Sequence, residues 1–160
     1  MNFLNQKILI TGVCGTVGSE LLRQIALNGE PLRILGIDNN ESNLFDLQQE
    51  FKDHNNIDFS IADVRDSKTC RDISVGVDII FHVAALKHVN LCESSPLEAV
   101  STNITGVQNI IDAGIYNGVE KVVFTSSDKA VNPSSVMGTT KLMGERLITS
   151  ANLQQSLNKG

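Results

Sequence analysis

The chain has 160 residues, 41% of them hydrophobic and 19% charged, with 12 Gly, 3 Pro and 3 Cys. That length holds one domain with a sizeable core, and the composition excludes collagen-like, disulfide-scaffold and disordered chains. With 13 Lys and Arg against 18 Asp and Glu the formal charge is −5, the wrong sign for gripping phosphate backbones, so no nucleic-acid partner is expected.

Cys14, Cys70 and Cys92 are odd in number, widely spaced and without a CxxC pair. Neither a disulfide framework nor a thiolate metal site is expected, and a reduced cytoplasmic setting is. The opening MNFLNQKILITG lacks the basic, apolar and small-residue regions of an export signal, and no later stretch is apolar for long enough to enter a membrane.

In chain order, the apolar run at 7–11 (KILIT) reads as a strand buried on both faces, followed by a glycine-rich turn. From Val17, Leu21, Leu22, Ile25 and Leu27 recur at mostly helical spacing up to Gly29, a C-cap signal with Pro31 beyond it. Further strands are expected at 32–37, 57–61, 77–83 and 121–125. Between and after them, helices are expected at 42–52, 67–73, within 96–117 and at 136–151, with the polar end ANLQQSLNKG prone to fray. Alternating strands and helices imply an α/β fold: a Rossmann-like, doubly wound parallel sheet between two helical layers, with at least five strands. A complete sheet of this type is wound from two halves, and here the second half stops early, as expected of a chain truncated before a sixth strand.

The stretch TGVCGTVG sets Gly12, Gly15 and Gly18 after the first strand, with Cys14, Thr16 and Val17 between them. Such glycines permit a tight bend, let main-chain amides approach a pyrophosphate, and let the helix pack closely on the sheet. Alone the spacing is weak, and glycines merely serving a turn are the alternative. It gains weight because Asp38 follows Gly18 by twenty positions at the end of the second strand, beside Asn39, where a carboxylate can accept ribose hydroxyls. An acid there disfavours a 2′-phosphate, so NAD is expected over NADP, although Arg33 and Arg65 leave NADP possible. Asp63, with Val64, ends the third strand and either reaches an adenine edge or caps the helix that follows.

From Thr125 the chain runs TSSDKAVNPSSVMGTTK off the fifth strand into the last helix. Ser126, Ser127, Asp128 and Lys129 thus leave the carboxyl end of a strand, where ligands bind in open α/β sheets. Met137 and Lys141, four apart, share a helix face. The bland alternative is a turn with a surface ion pair and a solvated helix lysine.

These residues resemble a known family. TGVCGTVG, DVRD, HVAALKHV, PLEAVSTNITGVQNII and SSDKAVNPSSVMGTTK together are similar to the extended short-chain dehydrogenase/reductases, and within them to the nucleotide-sugar 4,6-dehydratases of bacterial polysaccharide biosynthesis. The resemblance covers nearly all the chain but lacks the family's C-terminal half, so residues 1–160 are expected to be its NAD(P)-binding domain. The usual YxxxK pair reads MGTTK here, with Met137 in the tyrosine's place. That resembles a branch that otherwise carries a long membrane region, of which this chain would be a soluble short form. A thioether cannot relay a proton.

The resemblance implies a lyase acting on a UDP-linked N-acetylhexosamine: hydride leaves carbon 4, water leaves across carbons 5 and 6, and hydride returns to carbon 6. It implies Lys129 as base at carbon 5, Asp128 as acid for the leaving hydroxyl, Ser127 at the carbon 4 hydroxyl, and Lys141 on the nicotinamide ribose. Ala84, Ala85 and Lys87 would lie along the cofactor, with Lys87, His88 and Met137 toward the sugar. Asn103, placed with the cofactor-binding residues, would hold the site's geometry from mid-helix, a solvent-facing amide being the alternative. His82 is expected as a hydrogen-bonded wall of the crevice and not as a metal ligand. A homo-oligomer is expected through the apolar helices within 96–117 and 136–151. The rivals are a UDP-sugar epimerase of the same superfamily and a dinucleotide-binding fragment without turnover.

Overall fold

The computed structural model describes residues 3–158. Five strands, β1 (Lys7–Thr11), β2 (Arg33–Asp38), β3 (Ile57–Ile61), β4 (Ile79–His82) and β5 (Lys121–Phe124), form one parallel sheet in the order β3-β2-β1-β4-β5. Every residue of β4, and β1 from Ile8 on, is buried, which is why these segments read as continuous apolar runs and not as alternating ones.

Alternate residues serve opposite faces. Ile8, Ile10, Ile34, Ile79 and Phe81 pack with Leu22 and Ile25 of α1 (Thr16–Asn28) and with Leu44 and Leu47 of α2 (Glu41–Glu50). Leu9, Ile37 and Ile80 pack the other way, with Cys70 of α3 (Ser67–Ile73) and Ile110 and Ala113 of α6 (Gly106–Asn117). The three-layer α/β/α sandwich expected from the pattern is thus formed. Connections run from β1 outward to β3 on one side and through β4 to β5 on the other, so the order reverses between β1 and β4 and opens a crevice at their carboxyl ends.

Predicted boundaries mostly hold to within one or two residues, with three differences of kind. The sequence HVNLCES forms an additional short helix, α4 (Val89–Ser94), separated from α5 (Pro96–Val100) by Ser95; its single turn and a half is too short to show a period, and Pro96 disfavours helical backbone at the residue before it. The single helix expected within 96–117 is continuous but contains one wide π turn, Ser101–Thr105, between α5 and α6. Asp128–Ala130 forms a 3₁₀ turn. The last helix, α7 (Val136–Asn158), runs past the expected end through the polar residues 151–158, while Lys159 and Gly160, part of the tail expected to fray, lie outside the described residues. A third apolar cluster of Cys92, Ala99 and Met137 ties α4, α5 and α7 together beneath the crevice mouth. No helix among the described residues is long and apolar enough to cross a membrane.

Candidate active site

At the first turn the chain leaves β1 with Gly12 at φ +68°, where a side chain would stand 2.6 Å from Ala84 Cα. At Gly18 a side chain would stand 2.2 Å from the Gly12 carbonyl oxygen. These two contacts explain the glycines: one turns the chain against the loop after β4, the other seats α1 on the turn. Gly15 precedes α1 with no side-chain cap, and no acidic residue occupies the first turn. The opening amides of a 13-residue helix therefore face the crevice beside Gly12, Thr16 and Val17, a cradle for an anion. The Asp38 carboxylate at the end of β2 accepts Cys14 N at 3.0 Å and Asn40 N at 3.0 Å, which locks the turn to the second strand. Burial, then the charge of Asp38, pushes the Cys14 thiol up to about 12, so Cys14 contributes its main chain and not a nucleophile.

Asp63 does not cap the following helix. Asp66 does, accepting Lys68 N and Thr69 N. Asp63 instead receives the Arg65 guanidinium at 2.6 Å, and Arg65 reaches on to Glu98 of α5 at 2.9 Å. The Arg65 hydrogen bonds hold the Asp63 carboxyl below the usual carboxylate range. Arg33 lies at the opposite, amino end of β2 and pairs with Asp58 at 2.6 Å, away from the crevice.

The last rung of the sheet forms the floor at the other end. Thr11 stands opposite His82, and His82 opposite Phe124. Thr11 Oγ1 lies 2.8 Å from His82 Nδ1 and accepts Val83 N and Ala84 N at 3.2 Å each. With its oxygen accepting two amides, the hydroxyl donates to Nδ1, which places the imidazole proton on Nε2. Burial, then the charge of Lys141, pushes His82 down to about 3, so it stays neutral. It is buried behind the floor and does not line the crevice, unlike the wall position expected for it. The His82 ring stacks on Phe124 at 6.0 Å, and Lys141 Nζ sits 4.3 Å over the Phe124 ring centre. Gly144, one turn on, lets α7 close on that ring: a side chain there would meet Phe124 Cζ at 2.7 Å.

Met137 and Lys141 both line the crevice, buried to 5% and 4% exposure, so the solvated-lysine alternative fails. Asn103 is also buried, against the solvent-facing alternative. From the π turn it accepts Leu86 N at 2.8 Å and donates to Leu86 O and Thr140 Oγ1 at 3.0 Å each. Thr140 donates onward to the Met137 carbonyl at 2.8 Å. Asn103 thus holds the loop after β4 against α7 and does not itself line the crevice, so its expected cofactor contact becomes a bracing role.

Gly12, Gly15, Thr16, Val17, Asp38, Asn39, Asp63, Val64, Ala84, Ala85, Lys87, Ser127, Met137 and Lys141 all line one cleft of about 510 Å³. Cys14, Gly18, Asn103, His88, Asp128 and Lys129 do not. His88 is exposed on the loop entering α4. The side chains of Asp128 and Lys129 are 86% and 50% exposed and 3.4 Å apart. Ser127 Oγ donates to Asp128 at 3.0 Å and accepts Lys129 N at 3.2 Å; first that bond, then Lys129, hold the Asp128 carboxyl below the usual range. Ser126, at the cleft, donates to Glu145 of α7. Sequence reasoning missed Thr11, Phe124, Glu98, Thr102 and Glu145; counting strand register from the glycine turn would have found the first two. Among the described residues no group of His, Cys, Asp and Glu could hold a metal ion.

Residues 8–159 match the family model described as polysaccharide biosynthesis protein. The chain belongs to this family. A relative from Methanocaldococcus jannaschii, named as an uncharacterized membrane protein, is 46% identical over 160 residues, covering 99% of this chain and 47% of its own length. An inverting UDP-N-acetylglucosamine 4,6-dehydratase of Campylobacter jejuni is 38% identical over 150 residues, covering 94% and 45%. A UDP-glucose 4-epimerase of Rickettsia typhi is 36% identical over 153 residues, covering 91% and 43%. The crystal structure of Pen from Bacillus thuringiensis superposes with a TM-score of 0.93 at 44% identity, covering 97% of this chain and 49% of that one. The chain spans just under half the length of the curated relatives it matches.

Proposed function

We propose that this family member supplies the dinucleotide-binding part of a nucleotide-sugar 4,6-dehydratase, an NAD-dependent lyase acting on a UDP-linked N-acetylhexosamine in bacterial glycan synthesis. The observation that carries this is a thioether, Met137, on the cleft wall one turn before a buried lysine, with the exposed Asp128 and Lys129 pair directly following the cleft-lining Ser127.

The residues present fit a dinucleotide, because Gly12 and Gly15 put no side chain into the cleft beside the helix amides, which are uncapped. Gly12, Gly15, Thr16 and Val17 would hold the pyrophosphate, Asp38 and Asn39 the adenosine ribose, Asp63 and Val64 the adenine edge, and Ala84, Ala85, Lys87 and Lys141 the nicotinamide end. When bound, the nicotinamide takes one hydride and gives it back. Asp38 favours NAD, since its charge opposes a 2′-phosphate, while Arg33 is remote and Arg65 is engaged by Asp63 and Glu98.

Ser127 orients the carbon 4 hydroxyl, Lys129 accepts the carbon 5 proton, and Asp128 protonates the leaving hydroxyl, with Lys87 and His88 contacting the sugar. Asp128 and Lys129 are exposed, so the sugar itself must cover them. Exposed Ile115 and Met143, on α6 and α7, offer a face for self-association, to be checked by light scattering.

Incubation of the protein with NAD and UDP-N-acetylglucosamine is the test. The expected product is lighter by one water. An isomer of unchanged mass would establish the epimerase reading, which the relatives named UDP-glucose 4-epimerase favour. Coenzyme binding with neither product would establish a binding module.

A further inference from the structure

The superfamily pattern leaves one task without an owner here. Oxidation at carbon 4 requires a group that accepts the hydroxyl proton, and position 137 holds a thioether with no proton to exchange. Ser127 does not fill the gap. Its hydroxyl donates to the Asp128 carboxylate and accepts Lys129 N, so it is spent on capping the 3₁₀ turn, and that carboxylate is already assigned to the leaving hydroxyl. We propose that the Lys141 side-chain amine accepts this proton directly. The assignment rests on the dehydratase reading above.

Lys141 is 4% exposed and lines the cleft beside Met137. Among the described residues its ammonium makes no hydrogen bond or ion pair; its close contact is the face of Phe124 at 4.3 Å. A buried amine lining a cleft with no carboxylate in hydrogen-bond reach has its donors free for a ligand. The clamp on that ring is specific, because Gly144 admits Phe124 and His82 stacks behind it. The titratable neighbours are few. His82 of β4 is neutral; Glu145 lies one turn along α7 and already receives the Ser126 hydroxyl; Lys87 lines the same cleft. Burial therefore dominates and lowers Lys141 to about 8, with Glu145 opposing. At pH 7 about a tenth of the molecules carry the neutral amine, a fraction suited to general-base work.

The step balances. The carbon 4 O–H bond breaks, its proton goes to Nζ to give the ammonium, and its electron pair becomes the second carbon–oxygen bond. The carbon 4 C–H bond breaks with its pair, and that hydride passes to an oxidised nicotinamide dinucleotide. Return of hydride leaves the carbonyl at carbon 4, so the proton is released from Lys141 before the next turnover.

Two measurements on the full chain test this. The first is competitive acetylation of lysines with acetic anhydride between about pH 6 and 11, read by mass spectrometry; surface lysines titrate near about 10.4. Lys141 is expected to titrate near 8, and Glu145→Gln is expected to move it lower. A midpoint at the surface value overturns the proposal whatever the substrate. The second is Lys141→Arg, which keeps the charge but cannot lose a proton. It is expected to bind NAD within about threefold of the wild type and to lose at least about a hundredfold in turnover. Turnover within tenfold of the wild type overturns the proposal. A titration near 8 with no water lost from any UDP-N-acetylhexosamine by the wild type overturns the dehydratase reading and, with it, the carbon 4 assignment, while a folded Lys141→Met that retains the wild-type pH–rate profile overturns the assignment alone.

Discussion

At the glycine turn, the groups facing the cleft are main-chain amides set by two unavoidable close approaches, Gly12 against Ala84 and Gly18 against Gly12. At the β5 and α7 end they are side chains, and the central one, Lys141, is held buried without an ionic partner. The first region binds by shape and gains stability from being well packed. The second is costly to fold, because it buries an amine without a paired charge. Substitutions should therefore have opposite signs at the two ends.

The largest loss is expected at Gly18→Ala, whose methyl must enter within 2.2 Å of the Gly12 carbonyl oxygen. Relief requires α1 to lift off the sheet, at about 3 kcal/mol or more, and urea unfolding together with NAD titration should show both stability and binding lost. Lys141→Met should do the reverse and stabilise the fold. The folded pKa of about 8 lies below the ordinary 10.5, so the burden is complete below about pH 8 and disappears as pH rises through the unfolded value. At pH 7 the gain is at most about 3 kcal/mol, less where cleft water reaches the amine. Urea midpoints of the two proteins should converge by about pH 10.5; a gap that persists there would mean the gain is packing alone.

His82 sharpens the comparison from beneath. Its folded pKa of about 3 lies below the ordinary 6.5, so the unfolded chain binds the extra proton and stability falls as pH drops through that window. The slope is about 1.4 kcal/mol per pH unit, or roughly 2 kcal/mol by pH 5. His82→Gln should flatten that limb in acid unfolding curves. Asp38→Ala releases Cys14 N and should weaken NAD about tenfold while narrowing the preference over NADP, as calorimetry with both coenzymes would reveal. Arg23→Ala, which removes an exposed pair with Glu50 at 2.7 Å on the distant face, should cost under about 1 kcal/mol and leave NAD binding unchanged.

Much of this was visible before any coordinates. Each strand of the sheet appears as an apolar run in KILIT and its counterparts, and the glycine cradle appears with the acid that ties it to β2. The misses share a physical origin. α4 is too short for periodicity, the π turn at Asn103 leaves no mark on a helical pattern, and Asp63 reads as a cap until Arg65 takes it and Asp66 caps the helix instead. Asp128 and Lys129 look central by position, yet they lie outside the cleft on an exposed turn.

The sequence by itself determined the alternation of strands and helices, the phosphate-sized turn and the absence of a proton-relaying tyrosine, because each depends on residues close together in the chain or on a single residue's chemistry. Only the tertiary structure decided that Thr11, His82, Phe124 and Lys141 form one row. Thr11 and His82 are 71 residues apart, and they meet because parallel register sets the ends of β1, β4 and β5 side by side. The burial that lowers the Lys141 ammonium, and keeps His82 neutral behind it, arises from helix α7 closing over that row, a consequence of packing that no local pattern encodes.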